Sequence, residues 1–300
     1  MILAAALAVT LAQAGAARHQ PAPQTDQTVP VQRGGRLTVN NFAGEVIIHT
    51  WDKDSIHVVA RHQSRTRVNI RPNAAGIAVS ASGTMGPQGS VDYDITAPGW
   101  MPIKVEGQFN FVTIEGAQAE VSADTVRGDI VIKGGTGFVT AKSIEGEIIV
   151  EGARGKINVS SVNQGIKISD TSGDIRADTI NGPIAMTGIQ SSSVDVSTVN
   201  GNITYEGTLA NDGHYDMRTH NGDVVLGVPD TLNATFTIRT YQGDIRTDIA
   251  ELQAASREEA RRGKRITITV GKGSADVYLE SFGGTIRVRK AGGARPRGRG

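Results

Sequence analysis

The sequence predicts an all-β fold: a single-stranded parallel β-helix (a β-solenoid) of roughly 18–21 residues per coil, with one short helix near the C-terminus. Three observations carry this prediction. An Ile/Val slot recurs every nine residues, glycine corners recur at eighteen and then twenty-one, and glycine is abundant while aromatic residues are scarce. The chain has 37 glycines and is only 4% aromatic. Large aromatic side chains supply much of the buried area of an ordinary globular core. Their scarcity suits thin, regular layers joined by tight turns.

The repeat emerges when the chain is cut every nine residues from Asn110, with one inserted residue before the block at 192. Position three then reads Val112, Val121, Ile130, Val139, Ile148, Ile157, Ile166, Ile175, Ile184, Val194 and Ile203. Position five is mostly apolar as well, from Ile114 and Ala123 to Val196 and Tyr205. Residues two apart on a strand share a face, and β-branched side chains fit a pleated, half-buried surface. At position eight, Val126, Ile144, Val162, Ile180 and Val199 alternate with the smaller Ala117, Gly135, Ala153, Thr171 and Thr208. The unit is therefore a two-walled coil of two blocks, with positions three, five and eight expected inward.

The corner after the larger position-eight residue carries Gly128, Gly146, Gly182 and Gly201, and recurs at Gly222, Gly243 and Gly284. Glycine there is expected to supply positive φ in a tight turn. Asn163, Asn181 and Asn200 precede the turn on successive coils, and Asn221 continues the column. Stacked amides at the inter-strand spacing predict a hydrogen-bonded ladder.

One coil buries too little to offset the entropy of ordering its backbone, so coils must stack and stabilise one another. The two ends must be covered, because open strand edges template aggregation. Residues 29–109 hold strand-like runs at 37–40, 45–49, 56–60, 77–80 and 91–96 without the repeat, and are read as an irregular N-terminal β cap. Residues 110–290 are read as the solenoid, with a helical insertion at 248–263. Asp248 is its expected N-cap, with Glu251 three positions on and Gly263 closing it. The last ten residues, 291–300, form a basic tail.

Residues 1–14 form an apolar run ending in Ala12-Gln13-Ala14, a small-x-small pattern that predicts a signal peptide. Residues 15–28 are polar and proline-bearing, and are read as a disordered linker. The expectation is an exported protein of the periplasm or cell surface with no transmembrane anchor. There is no cysteine, so no disulfide staples the fold and thiol catalysis is excluded. Formal charges nearly cancel at +1, which argues against a nucleic-acid partner.

Three motifs carry a family resemblance: the recurring x-Gly-Asp/Glu-Ile/Val corner, the segment from Val46 through Trp51 to Ile56, and the block from Val228-Pro229 through Phe236 to Ile245. Together they resemble a bacterial β-strand-repeat family of unknown function, described only as adhesin-like. The resemblance implies an exported parallel β-helix tied to the cell envelope. It supplies no catalytic residues.

The repeat leaves few candidates for chemistry. Acids follow a corner glycine at Asp129 and Glu147, but the column then becomes Gly165, Pro183 and Asn202. This does not make a calcium cage, and the acids are expected to satisfy turn amides. The histidines are sparse and unclustered, so no metal and no cofactor are expected. Outward positions of one wall bring Asn158, Arg176, Asp178 and Asp195 together, with Arg176 and Asp195 as a cross-coil ion pair. The wall lacks aromatic platforms and long loops.

The resulting expectation is a non-enzymatic binding or structural module. Its partner would be an envelope protein or polysaccharide, met through this flat contact wall. The alternatives are a carbohydrate-active enzyme using the same acids, or a periplasmic partner in envelope-stress signalling.

Overall fold

The computed structural model describes residues 25–83, 89–229, 231–259 and 265–291, the side chains of 255–259 excepted. The expected signal peptide, most of the expected linker, Gly263 and all but the first residue of the basic tail lie outside them.

The described residues form one solenoid-like stack of parallel strands with a single short helix, Ala250–Glu259. Two walls run the length of the stack. On wall A, Val121 pairs with Val139, Val139 with Ile157, Ile157 with Ile175 and Ile175 with Val194. On wall B, Ile130, Ile148, Ile166, Ile184 and Ile203 line up in the same way. Every one of these Ile/Val residues is buried. The core is thus a double column of β-branched side chains between two sheets. The inserted residue before 192 is absorbed as a bulge, where the register shifts from Ser172↔Gln190 to Asp174↔Ser193.

The regular stack starts earlier than the nine-residue reading placed it. Strands Arg36–Trp51 and Ile103–Ala117 each run along both walls, with Leu37 paired to Ile103 and Val46 to Val112. Ile103 in turn pairs with Val121. Much of the expected cap is therefore coil. Residues 25–28, the end of the expected linker, belong to strand Thr25–Pro30, which pairs antiparallel with Ser55–His62.

Position eight of the larger corner is not inward. Val126, Ile144, Ile180 and Val199 are 42–47% exposed, while Thr125, Ser143, Ser161, Thr179 and Thr198 beside them are buried. Strand alternation simply continues from positions three and five to seven. The tucked hydroxyls satisfy corner carbonyls: Ser143 donates to Gly128 O at 3.1 Å, Ser161 to Gly146 O at 3.3 Å and Thr198 to Gly182 O at 3.1 Å. At the other corner the chain turns at Gly134, and small residues such as Ala117 and Ala153 are buried at position eight.

The corner glycines are needed for space more than for φ. Gly128 has φ 127°, but Gly146, Gly182, Gly201, Gly222 and Gly243 lie outside the positive-φ region. A Cβ on Gly146 would lie 1.9 Å from Gly128 O, and one on Gly222 would lie 2.0 Å from Gly201 O. The coils approach so closely that no side chain fits.

The C-terminal end departs from sequence order. Strand His214–Asn221 pairs with Ala275–Ser281, which pairs with Ala234–Thr240. The last coil in the chain is thus the penultimate coil in space. The N-terminal end mirrors this, because Gly76–Gly83 and Val91–Pro98 stack outside Arg36–Trp51. Antiparallel strands close the stack: Thr66–Asn73 at one end of wall A and Arg265–Val270 at the other. The helix lies against the outermost strands Ile245–Thr247 and Arg265–Val270 and buries Ile249 and Leu252 at its start. Asp248 does not cap it. Its carboxylate accepts from the Lys290 amide at 3.2 Å, and the Thr247 hydroxyl accepts from the Ile249 amide at 3.1 Å.

Candidate functional site

The outward residues of wall A form a charged strip. Asn158, Arg176, Asp195, Asp216 and Tyr278 are successive register partners on neighbouring strands. Asp178, Ser197, Arg218 and Glu280 make a parallel row two residues along. Arg176 bridges coils: its Nε donates to Asp178 Oδ2 at 2.9 Å and its Nη1 to Asp195 Oδ2 at 2.8 Å. Ser197 Oγ donates to Asp178 Oδ1 at 2.7 Å. Asn158, Arg176 and Asp195 line one shallow depression with Lys156, Asp174 and Ser193. The side chains of Arg176 and Asp195 are more than half exposed, so this pair is worth little stability on its own. It holds the donors and acceptors of the wall in fixed places.

The strip continues past the residues the sequence reading singled out. Asp216 is paired with Arg218, and Arg218 lies 5.2 Å over the ring of Tyr278. Tyr278 Oη donates to Glu280 Oε2. Asp216 is only 7% exposed although it points outward, and its Oδ1 is closed off without a partner. Burial pushes the Asp216 carboxyl up, Arg218 opposes this, and Asp195 beside it adds to the rise. Burial likewise pushes the Tyr278 hydroxyl up, with Glu280 contributing. Asp216 and Arg218 were within reach of the sequence, twenty-one residues beyond Asp195 and Ser197. Tyr278 was not, because the exchanged order of the last coils places it there. It also gives the wall an aromatic ring that the sequence reading did not assign to it.

The corner columns hold the remaining residues. Asn181 Nδ2 donates to Asn163 Oδ1 at 3.2 Å, Asn200 to Asn181 at 2.8 Å and Asn221 to Asn200 at 2.9 Å. One column over, Asp129 Oδ1 accepts from the Glu147 amide, Asn202 from the Asp223 amide and Asp223 from the Thr285 amide, each at 2.8 Å. Asp129, Asn202 and Asp223 thus act on turn amides of the next coil, whereas the Glu147 carboxylate, expected to do the same, pairs with Lys167 at 2.8 Å. A second glycine column escaped the sequence reading. Gly137, Gly155 and Gly173 all have positive φ, and a Cβ on Gly173 would lie 2.0 Å from Gly155 O.

The histidines do not converge. His49 faces Glu115, His57 faces Asp26, His214 faces Asp276, and His220 stacks on Phe282. Among the described residues no group of three or more His, Asp or Glu side chains could hold a metal ion. No helix among them is long and apolar enough to cross a membrane.

No curated protein matches the sequence. A crystal structure of a "putative cell adhesion protein" from Clostridium sporogenes ATCC 15579 aligns at 11% identity over 89% of this chain and 99% of that one. Its TM-score is 0.22, too low a likeness to carry an argument. Residues 177–289, which contain the strip from Asp178 to Glu280, match the family model Toastrack DUF4097. Over that segment the chain is similar to a family of unknown function, in line with the resemblance its corner motifs express.

Proposed function

We propose that the protein is an exported, right-handed β-solenoid that acts as a non-catalytic binding or structural module at the cell envelope. The coil repeat sets its length, and the partner meets the flat outer face of wall A. The observation that carries this reading is the continuous strip from Asn158 to Glu280. There the charged side chains are clamped to one another within and between coils instead of converging on a cleft. Such a surface is pre-organised, so little side-chain entropy is lost when a partner docks. The Toastrack match, to a family of unknown function, is compatible with a module of this kind.

The competing reading is a carbohydrate-active enzyme using Asp195 and Asp216. These neighbouring carboxyls sit in unlike surroundings, one held by Arg176 and the other pushed up by burial. A catalytic acid must reach the atom it protonates. The free oxygen of Asp216 is closed off from solvent, which favours the non-catalytic reading.

The test replaces Arg176, Asp178 and Asp195 together with alanine in the full chain, followed by capture of partners from envelope fractions. Loss of a partner held by the unaltered protein is the expected result. Unchanged capture would sink the wall as the contact surface, and turnover of an envelope glycan would sink the non-catalytic reading.

A further inference from the structure

At the C-terminal end of wall A two arginines face each other without an acid between them. Arg239 and Arg265 are register partners on the last antiparallel strand pair. Thr235 and Thr269 on the same face hydrogen-bond at 3.1 Å, so side chains there meet across the pair. Like charges directly opposite each other destabilise a sheet. Further down the wall Arg176 and Arg218 each hold a carboxylate. Among the described residues Arg239 and Arg265 form no ion pair. Glu280, across the other strand from Arg239, accepts from the Tyr278 hydroxyl.

The surroundings hold Arg239 in place. Its guanidinium carbon lies 4.5 Å over the Tyr241 ring. Tyr241 packs on Phe282 at 5.1 Å, and Phe282 stacks on His220 at 4.7 Å and 12°. A guanidinium stacked on a ring keeps in-plane N–H donors for an anion. Beside it an open concavity of about 410 Å³ is lined by Arg239, Thr240, Tyr241 and Arg265. Tyr241 is 39% exposed.

We infer that this concavity is a ligand site for an oxyanion-bearing saccharide. The carboxylate or phosphate sits between Arg239 and Arg265, and the sugar ring lies beside the exposed edge of Tyr241. Charge complementarity identifies the anion, since a bound oxyanion turns the repulsion of the arginine pair into two charge-assisted hydrogen-bonding partners. The rest of the wall identifies the carrier. Beyond the site, acids alternate with Arg176 and Arg218, so the wall offers no continuous basic track to a nucleic acid, which carries a phosphate at every step. A sugar chain with one acidic group and neutral hydroxyls needs no such track. The site adjoins the Glu280 end of the strip but shares none of Arg176, Asp178 and Asp195, so either reading can fail without the other.

The test is calorimetric titration of the full chain with methyl glucuronide, its methyl ester and glucose 6-phosphate. Saturable binding of methyl glucuronide identifies the carboxylate and that of glucose 6-phosphate the phosphate; the neutral ester is not bound. Arg265→Gln lowers the affinity by about tenfold or more, as expected for a lost charged hydrogen bond, and leaves Tm unchanged or raised because a like-charge pair is relieved. Arg239→Gln gives the same loss of binding, and Arg265→Gln decides the matter should that variant fold poorly. The inference is overturned by absence of saturable binding to both acidic sugars, by equal binding of the ester or by binding that survives Arg265→Gln. A lowered Tm for Arg265→Gln, or tighter binding of a single-stranded oligonucleotide, would overturn it equally.

Discussion

Gly243 stacks on Gly284, not on Gly222, although Gly222 precedes it by one regular coil length. A Cβ on Gly243 would lie 1.9 Å from Gly284 O, and a Cβ on Gly284 would lie 1.9 Å from Gly222 O. The final coil of the chain is therefore held between two earlier ones, and the outermost coil depends on it. In a chain ending at residue 249, strand Ala234–Thr240 loses both of its partners. Hydrogen exchange on that truncated chain is expected to show lost amide protection at 234–240 and weakened protection at 214–228. Full protection of 234–240 would mean that the coil can stack directly on His214–Asn221.

Glycine substitutions separate crowding from backbone conformation. Gly201→Ala places a methyl 1.9 Å from Gly182 O and is expected to cost about 3 kcal/mol or more, because the whole coil must shift. Gly152→Ala meets nothing within 4 Å but has φ 67°, so it costs only about 1–2 kcal/mol. Thermal or denaturant unfolding of the two variants gives the order.

The larger corner offers a paired test on adjacent residues. Ser143→Ala removes a buried hydroxyl bonded to Gly128 O and is expected to cost about 1 kcal/mol. Ile144→Ser changes a side chain 46% exposed and is expected to stay within about 0.5 kcal/mol of the parent. By contrast Ile148→Ala, fully buried in the central column, should cost about 2–5 kcal/mol. Were Ile144→Ser as damaging as Ile148→Ala, the exposure of the corner row would be wrong.

Asp216 makes stability depend on pH in a defined direction. Its carboxyl is pushed above the ordinary 3.8, first by burial and then by Asp195, so the folded chain binds the proton more tightly than the unfolded one. Stability from this group is therefore greatest in acid and falls as pH rises from 3.8 through the raised value. Asp216→Asn removes that dependence. The difference in Tm between variant and parent should move in favour of the variant between acid and neutral pH. Arg218→Ala should act oppositely, harming stability more at neutral pH, where it leaves a buried charge without its partner.

Much of this architecture was legible because a stack of coils repeats its physics locally. Ile/Val at positions three and five, glycine at the corner and asparagine before it all report contacts between a residue and its equivalent one coil away. Spacing along the chain then equals spacing in the stack. Expectation and structure part where residue type misleads or where that equality breaks. Val126 and Ile144 are large and apolar, but the strand's alternation turns them outward and tucks Thr125 and Ser143 in. Asp248 has the residue type of a helix cap, yet Lys290 from the exchanged last coil takes its carboxylate.

The candidate site divides along the same line. The sequence by itself determined the Arg176–Asp178–Asp195 cluster, because those residues sit on consecutive coils. Only the tertiary structure placed Tyr278 beside Asp216, Phe282 between His220 and Tyr241, and Arg265 opposite Arg239. Each of these contacts follows from the exchanged coil order and the antiparallel closing strand. Backbone hydrogen bonding at the stack's end selects that arrangement, and no side-chain period records it.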